Sequence, residues 1–213
     1  MYIPKHFEEK DPAILQALVR AHPFGTWVTQ GEDGEPIANH VPFLLDAERG
    51  PHGTLVAHVA RANPIWKDFS RTVDSIVVFQ GPQTYISPSW YASKREHGKV
   101  VPTWNYAVVH AHGRPRAIED AAWLRQLVSR LTETHEAGNP QPWKVSDAPA
   151  DFIDRSLEAI VGIEIPLTRI EGKWKTSQNR TQADRHGVVA GLSARDDEAS
   201  AAMAAIVRRQ LGT

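Results

Sequence analysis

Short β-rich segments follow one another at close spacing near the start of this chain. Three of them are "FGTWVT" (24 to 29), "PIANHVPFLLD" (36 to 46) and "GTLVAHVA" (53 to 60). Turn-forming clusters separate them, at Glu32-Asp33-Gly34 and Arg49-Gly50-Pro51. Connections this short join antiparallel strands, because a parallel pair needs a crossover of about a dozen residues or more. The spacing therefore predicts an antiparallel sheet.

Longer β-rich segments continue the pattern over 75 to 87, 100 to 119 and 159 to 175, with proline and glycine at the bends. The total is about six strands. A small closed barrel is the economical arrangement, since closure removes exposed sheet edges. We therefore expect a mainly β fold, with helices at its periphery.

These peripheral helices have recognisable start signals. The first begins at Asp11-Pro12, where the carboxylate can cap free N–H groups and the proline needs no donor. A second follows an Asp120 cap, Pro64 opens a short helix over 62 to 69, and the Ala-rich segment 197 to 210 forms a C-terminal helix. The apolar stripes of the first two helices are Ile14, Leu15, Leu18 and Val19, then Leu124, Leu127, Val128 and Leu131.

Composition narrows the class of protein. The 213 residues suit one domain, spanning 1–213. Lys and Arg total 24 against 25 Asp and Glu, so the chain lacks the basic excess of a protein that wraps polyanions. The absence of cysteine excludes disulfides, thiolate metal sites and cysteine nucleophiles. Neither a signal peptide nor a membrane span is present in the sequence pattern, and we expect a cytoplasmic protein.

The segment "AHVARANPIWK" has the makings of an anion site. Arg61 directly follows a strand, and a helix is expected to open at Asn63-Pro64. Its first amides, Arg61 and Lys67 could converge on a phosphate. The alternative is that both cations are ordinary solvated charges at a strand end.

The segment 171 to 187 is rich in hydrogen-bond donors. Strand periodicity places Lys173 and Lys175 on one face, with Trp174 on the other. Such a segment can bind a polar ligand with several acceptors while the indole covers an apolar plane. A polar strand end with a solvated helix start explains the same composition equally well. The donor side chains are Lys173, Lys175, Ser177, Gln178, Asn179 and Arg180.

The stretch from Phe79 to Gly113 combines wide aromatic faces with amides, at predicted strand bends where backbone groups are free to bond a ligand. This composition suits a flat heteroaromatic ring with polar edges. A dimer interface is the alternative, because Trp and Tyr are enriched there too. The residues concerned are Gln83, Tyr85, Trp90, Tyr91, Lys99, Trp104, Asn105 and Tyr106.

Other catalytic and metal motifs do not emerge. His58, His110 and His112 lie on predicted strands, but no acidic residue stands at ligand spacing, so we predict no metal site. The serines lack a nucleophile elbow, and neither a Walker A loop nor a Gly-x-Gly-x-x-Gly motif occurs.

Longer blocks of sequence carry a resemblance to a known family. "MYIPKHF", "FQGPQTYISPSWYASK", "GKVVPTWNY", "AIVGIEI" and "EGKWKTSQNR", followed by "GVVAGL", resemble the signature blocks of the PaiB-type FMN-binding proteins, often labelled negative transcriptional regulators. The blocks occur in order from Met1 to Leu192. The resemblance implies a six-stranded antiparallel split β-barrel with flanking helices, and a homodimer with FMN at the subunit interface.

The family geometry, combined with residue chemistry, gives a hypothesis for the cofactor site. The phosphate would lie near His58, Arg61, Asn63 and Lys67. The edge of the isoalloxazine would run along Asn39, His40, Val41 and Pro42. The partner subunit would contribute Trp104, Asn105, Lys175, Ser177, Gln178 and Arg180.

The resemblance leaves two functions open. In the first, the protein is an FMN-dependent oxidoreductase of a small molecule, with a nicotinamide donor or with haem as the molecule turned over. In the second, it is a flavin-binding regulator without turnover. Direct DNA readout is disfavoured in both cases, because the charge is balanced and no helix-turn-helix pattern occurs.

Overall fold

The computed structural model describes residues 1–212, and its strands form one hydrogen-bonded sheet. The strands of this described chain are β1 (Glu8–Glu9), β2 (Phe24–Gln30), β3 (Pro36–Pro42), β4 (Leu44–Asp46), β5 (Thr54–Ala60), β6 (Ser75–Ile86), β7 (Thr103–Gly113), β8 (Arg116–Ile118) and β9 (Ile160–Lys175).

Helices occupy most of the remaining described residues. Short 3₁₀ helices include Pro64–Trp66 and Pro88–Trp90. Within residues 1–212, no helix combines the length and the apolar character that crossing a membrane requires. The α-helices of the same residues are α1 (Pro12–Ala21), α2 (Ser93–His97), α3 (Ala121–Glu136), α4 (Ala150–Glu158), α5 (Gln182–Ser193) and α6 (Glu198–Arg209).

The strands join in the order β3-β2-β6-β7-β9-β5-β4, and β1 and β8 also pair with β9. β2 and β3 pair antiparallel along their full length, and β5 pairs antiparallel along its full length with the first part of β9. A mainly β, antiparallel fold with flanking helices is thus confirmed. The strand count in the described residues is nine rather than the predicted six, because two predicted strands are divided and the short strand β1 was not predicted.

Both divisions occur at prolines or glycines. The segment 36 to 46 is split into β3 and β4, and β4 pairs with β5 rather than β2. The segment 100 to 119 is split into β7 and β8 around Arg114-Pro115, where proline has no N–H for the ladder. Gly113 ends β7 at a close approach, since a Cβ there would lie 2.3 Å from the Pro166 carbonyl oxygen.

The chain contains two compact units. The first unit comprises Met1–Ala21, Gln80–His110 and the residues from Glu171 onward, and the second comprises His22–Phe79 and Ala111–Ile170. Strands β6, β7 and β9 contribute residues to both. The single domain spanning 1–213 stays a prediction.

In the first unit, α5 and α6 pack on the end of β6. Their shared core includes Ile86, Tyr91, Val188 and Met203. Helix α1 begins as predicted, with Asp11 Oδ1 accepting from the N–H of Ala13 at 2.9 Å. Its predicted stripe is buried except at Ile14, which is 36% exposed, so the prediction was wrong for that residue.

In the second unit, α3 covers β5 and β9. Asp120 caps it as predicted, accepting from the N–H of Trp123 at 2.7 Å. Leu127 and Leu131 pack against Val56. Gly162 makes room for Trp123, because a Cβ at position 162 would lie 2.2 Å from the Trp123 ring.

Candidate functional site

A small pocket in the first unit collects polar and cationic side chains. Its volume is about 50 Å³. In the described part of the chain, none of its lining residues is acidic. These residues are Tyr91, Thr103, Asn105, Lys175, Ser177, Asn179 and Arg180. The arrangement is therefore a cationic, donor-rich cavity, and we call it the Tyr91–Arg180 pocket.

Two strand ends and a turn build this pocket. The start of β7 supplies Thr103 and Asn105, and the end of β9 supplies Lys175. Ser177 follows with φ of 69°, a left-handed conformation that serine rarely adopts. The buried amide of Asn105 donates from Nδ2 to Ser177 Oγ at 3.0 Å. This bond helps to hold a backbone geometry that costs on the order of 1–3 kcal/mol.

Lys175 carries a positive charge that is poorly compensated. Its Nζ donates to Thr103 Oγ1 and to the backbone carbonyl of Trp104. Neither acceptor carries a formal charge. Burial lowers the pKa of Lys175, and the nearby charges of Lys173 and Arg180 lower it further. An ammonium in this position gains from an anionic ligand.

Tyr91 is 1% exposed, and its hydroxyl has no hydrogen-bond partner among residues 1–212. The Arg180 guanidinium lies over the Tyr91 ring, 4.7 Å from the centroid. Burial raises the pKa of Tyr91, and the charge of Arg180 and the approach of its guanidinium to the hydroxyl offset only part of that rise. The phenol therefore stays protonated at neutral pH and has a proton available for a hydrogen bond.

Asp184 anchors the chain next to the pocket. Its buried carboxylate accepts from the N–H and from the Oγ of Ser93, each at 2.9 Å. Burial raises the pKa of Asp184, but the bonds from Ser93 and Thr181 and the charge of Arg180 outweigh it, so the net pKa is below the usual range. The carboxylate thus attaches α5 to the segment that contains Tyr91.

Trp90 forms a second attachment between this segment and α5. A Cβ at Gly187 would lie 1.9 Å from the Trp90 carbonyl oxygen, and one at Gly191 would lie 2.3 Å from the indole. The guanidinium of Arg195 lies over the indole, 4.8 Å from the ring centroid. The two glycines therefore allow a close approach that sets the position of the adjoining Tyr91.

An exposed aromatic pair stands on the strands of the same unit. Trp104 is 54% exposed, and its indole meets the Tyr85 ring edge-on with centroids 6.4 Å apart. The backbone carbonyl of Trp104 accepts the bond from Lys175. The residue that presents this apolar face is therefore hydrogen-bonded to Lys175, which lines the pocket.

The structure brings part of the predicted partner-subunit set together. Asn105, Lys175, Ser177 and Arg180 all line the pocket. Gln178 does not, because its side-chain amide accepts from the N–H of Thr176 and donates to the Trp174 carbonyl. Its role in the structure is to fold the turn.

The remaining predicted residues lie in the second unit. On β3, Asn39 Oδ1 accepts from Asn63 Nδ2 at 2.7 Å, so these two predicted residues are in contact. His40 is exposed and stacks on Phe24, with ring centroids 6.1 Å apart. Val41 is buried and Pro42 half-buried.

Two of the residues predicted to bind the phosphate, Arg61 and Asn63, already bond to other parts of the protein. Arg61 donates to the Glu119 carboxylate at 2.5 Å and to the carbonyls of Glu158 and Ile160. The helix after Arg61 is only the 3₁₀ turn Pro64–Trp66, and Asn63 Oδ1 already accepts from the N–H of Ile65. A phosphate here would have to compete with these bonds.

Two other predicted phosphate residues differ in their surroundings. Lys67 Nζ lies over the Trp66 ring, 4.5 Å from the centroid. His58 is half-buried on β5, its Nδ1 makes no hydrogen bond within residues 1–212, and burial lowers its pKa. The imidazole is therefore mainly neutral at neutral pH.

Sequence reasoning missed some residues that shape the pocket. Tyr91 and Asn179 were noted for their chemistry but were not assigned to the site, and Thr103 was not considered. Asp184 and Ser93 were also missed. A local signal did exist for Asp184, since Thr181 caps α5 by accepting from the N–H of Asp184.

Solved structures of proteins whose names refer to flavin or haem share the fold of this chain. The flavocytochrome Anf3 of Azotobacter vinelandii superposes with a TM-score of 0.59 at 15% identity, covering 94% of this chain and 78% of that one. The FAD and heme binding protein of Mycobacterium smegmatis gives 0.60 at 14% identity, covering 86% and 80%. At these identities the likeness concerns the fold alone, and the predicted fold class is confirmed.

Sequence similarity then defines the family. Residues 1–169 match the family model described as "Putative FMN-binding domain". The "Protease synthase and sporulation protein PAI 2" of Bacillus subtilis (strain 168) is 34% identical over 211 residues, which cover 99% of this chain and 98% of that protein. The chain belongs to this PaiB-like FMN-binding family, and its cofactor is FMN. The resemblance seen in the sequence is confirmed.

The chemistry of the first unit fits this cofactor. FMN carries a phosphate and ring carbonyl oxygens, which are hydrogen-bond acceptors. The pocket offers the complementary groups, namely two cations, two side-chain amides and the unpartnered hydroxyl of Tyr91. The exposed indole of Trp104 adds an apolar face of the kind on which a flat ring packs.

Proposed function

We propose that this protein is an FMN-dependent oxidoreductase of a small molecule. The observation that carries the proposal is the convergence of Tyr91, Lys175 and Arg180 in one pocket, with the pKa of Tyr91 raised and that of Lys175 lowered. Ionisable groups with displaced pKa values in a cavity are typical of reaction sites.

The chain's own residues would bind and orient the reactants. Lys175 and Arg180 supply positive charge, and the Tyr91 hydroxyl can donate a proton to a hydrogen bond. The bond between Asn105 and Ser177 keeps the turn in place. When bound, FMN supplies hydride or single-electron transfer, and the protein contributes position and electrostatics.

We further propose that two copies of the chain hold FMN at their interface. The exposed Trp104 and Tyr85 support this arrangement, because large exposed aromatic residues are enriched at protein interfaces. In this proposal, Trp104 and the pocket residues reach FMN from the partner copy. The Asn39 to Pro42 strand and the group around Arg61 then belong to the copy that holds the rest of the cofactor.

A flavin-binding regulator without turnover is the second candidate. The Bacillus subtilis relative is named a protease synthase and sporulation protein, and we take the reference to sporulation as support for a regulatory role of this chain. Direct DNA readout is a poor fit for this chain, since its formal net charge is -1. A regulator of this kind would act through a protein or small-molecule partner.

Anaerobic reduction distinguishes the two candidates. We expect NADH or NADPH to bleach the visible flavin band of the FMN-loaded protein, and a small quinone to restore it faster than it reoxidises free FMN under the same conditions. Arg180→Gln is expected to slow reoxidation, because the pocket loses half of its lining cations.

The exposed Arg209→Gln serves as the charge-matched control and should behave as the wild type. Bound FMN that neither nicotinamide reduces, and that reoxidises no faster than free FMN after chemical reduction, would exclude the oxidoreductase and leave the regulator.

A further inference from the structure

We propose that the Tyr91–Arg180 pocket binds one small oxyanion group, a phosphate or a carboxylate, carried by its ligand. The inference deepens the proposed function and rests on it for the identity of the ligand. Three features of the pocket support the inference: its charge, its unpartnered hydroxyl and its volume.

The charge of the pocket is the first argument. Lys175 donates only to a hydroxyl and a carbonyl, and Arg180 lies against an aromatic ring. The ionised carboxylate of Asp184 offsets part of the charge of Arg180, and one carboxylate does not balance two cations. The two lining cations therefore retain a net attraction for an anion.

The Tyr91 hydroxyl is the second argument. Buried polar groups in folded proteins almost always have a hydrogen-bond partner, and a buried group without one calls for an explanation. This hydroxyl has none among the described residues, although the ring is 1% exposed. An acceptor oxygen on a ligand next to Arg180 would satisfy it.

The size of the pocket sets the third constraint. Its volume is about 50 Å³, and a water-sized group needs about 10–15 Å³ of such space. The pocket therefore holds a group of about four atoms, which fits a phosphate or a carboxylate. The three fused rings of a flavin are too large, so only a terminal group of the ligand enters.

Two sources can supply such a group: the phosphate of FMN, or an anionic substituent on the substrate. The shared chemistry is the same, and riboflavin separates the sources because it lacks the phosphate. The measurements are the dissociation constants of FMN and riboflavin, by quenching of flavin fluorescence, and the binding of inorganic phosphate and acetate, by calorimetry on the protein with and without FMN.

The sharpest variant is Tyr91→Phe. It removes a hydroxyl that bonds to nothing in residues 1–212, so the variant should fold and melt at the wild-type temperature or about 2–4 °C higher. It should bind the anion about 10- to 100-fold more weakly. Arg180→Gln should weaken anion binding at least as much, and the exposed control Arg209→Gln should leave anion binding unchanged.

Each outcome decides between the alternatives. If the phosphate of FMN occupies the pocket, both pocket variants weaken FMN but not riboflavin, and inorganic phosphate competes with FMN. If a substrate group occupies it, both flavins bind normally to the variants, while phosphate or acetate binds to the FMN-loaded protein and the variants weaken that binding.

The inference is overturned if FMN and riboflavin bind equally well in all variants and neither anion binds to any form. Loss of the proposed redox activity is a separate result, because the calorimetric measurement on the flavin-free protein does not depend on turnover.

Discussion

At the scale of single residues, Asp184 determines much of the local geometry around the pocket. Its carboxylate is 2% exposed and holds both the backbone and the side chain of Ser93. The pKa of Asp184 lies below its usual range because the hydrogen bonds and Arg180 outweigh the effect of burial. The folded state therefore favours the ionised form.

This depressed pKa gives a pH-dependent prediction for Asp184→Asn. The stabilising contribution is fully present above the unfolded pKa of about 3.9 and is lost as the pH falls through the lower folded pKa. We expect the variant to lose about 1.5–3 kcal/mol of unfolding free energy at neutral pH, and its difference from the wild type to shrink below about pH 4.

Urea unfolding at a series of pH values measures this difference. The exposed Asp196→Asn is the control and should stay within about 0.5 kcal/mol of the wild type at neutral pH. A difference for Asp184→Asn that is constant down to about pH 2 would contradict the interpretation.

The sequence predicted the chemistry of single residues better than their contacts. Asn105 and Ser177 are 72 positions apart, and only the three-dimensional fold brings them to a 3.0 Å hydrogen bond. Gln178 carries a side-chain amide like Asn179, yet the amide of Gln178 folds the turn instead of lining the pocket. For Arg61, the sequence indicated a cation placed to bind an anion, but it could not indicate that Glu119 pairs with this cation.

At the scale of elements, the contact between α5 and the segment before α2 positions Tyr91 in the pocket. Gly187 and Gly191 lie one turn apart on α5, and both face Trp90. The absence of Cβ atoms lets the helix approach the backbone of the 3₁₀ turn Pro88–Trp90. The position of Tyr91 depends on this approach.

Gly187→Ala tests the framework. The new Cβ would meet the Trp90 carbonyl at 1.9 Å, and a backbone atom cannot move as easily as a side chain. We expect a net loss of about 1–3 kcal/mol, even though alanine favours a helix over glycine by about 1 kcal/mol. Urea unfolding gives the stability, and the FMN dissociation constant should increase with the displacement of Tyr91.

Gly138→Ala is the matched control, since a Cβ there meets nothing within 4 Å. It should leave both quantities nearly unchanged. Wild-type stability and FMN affinity in Gly187→Ala would show that the close approach of α5 does not matter.

Hydrophobic periodicity in the sequence predicted the long strands well, but it did not predict where a strand is interrupted. The apolar alternation of β9 gave its bounds within one residue of Ile160–Lys175. The same reasoning made one strand of 100 to 119, because the alternation continues past Arg114-Pro115 while the hydrogen-bond ladder does not. Helix α2 has no apolar stripe, so no pattern indicated it.

At the scale of the whole molecule, family membership and the exposed surface of the first unit bear on how FMN is held. The chain belongs to an FMN-binding family, and its charges nearly cancel. Its exposed Trp104 and its cationic pocket lie in the first unit, where a second copy could cover the indole. The central claim that we propose is a homodimer that holds FMN between its subunits.

Sedimentation of the FMN-loaded protein, followed at a protein and at a flavin wavelength, tests this claim most directly. The account predicts a single species of twice 23.7 kDa, with the flavin absorbance moving with the protein at one FMN per chain. A species of 23.7 kDa that carries FMN, or a protein of any mass that leaves added FMN behind, would contradict it.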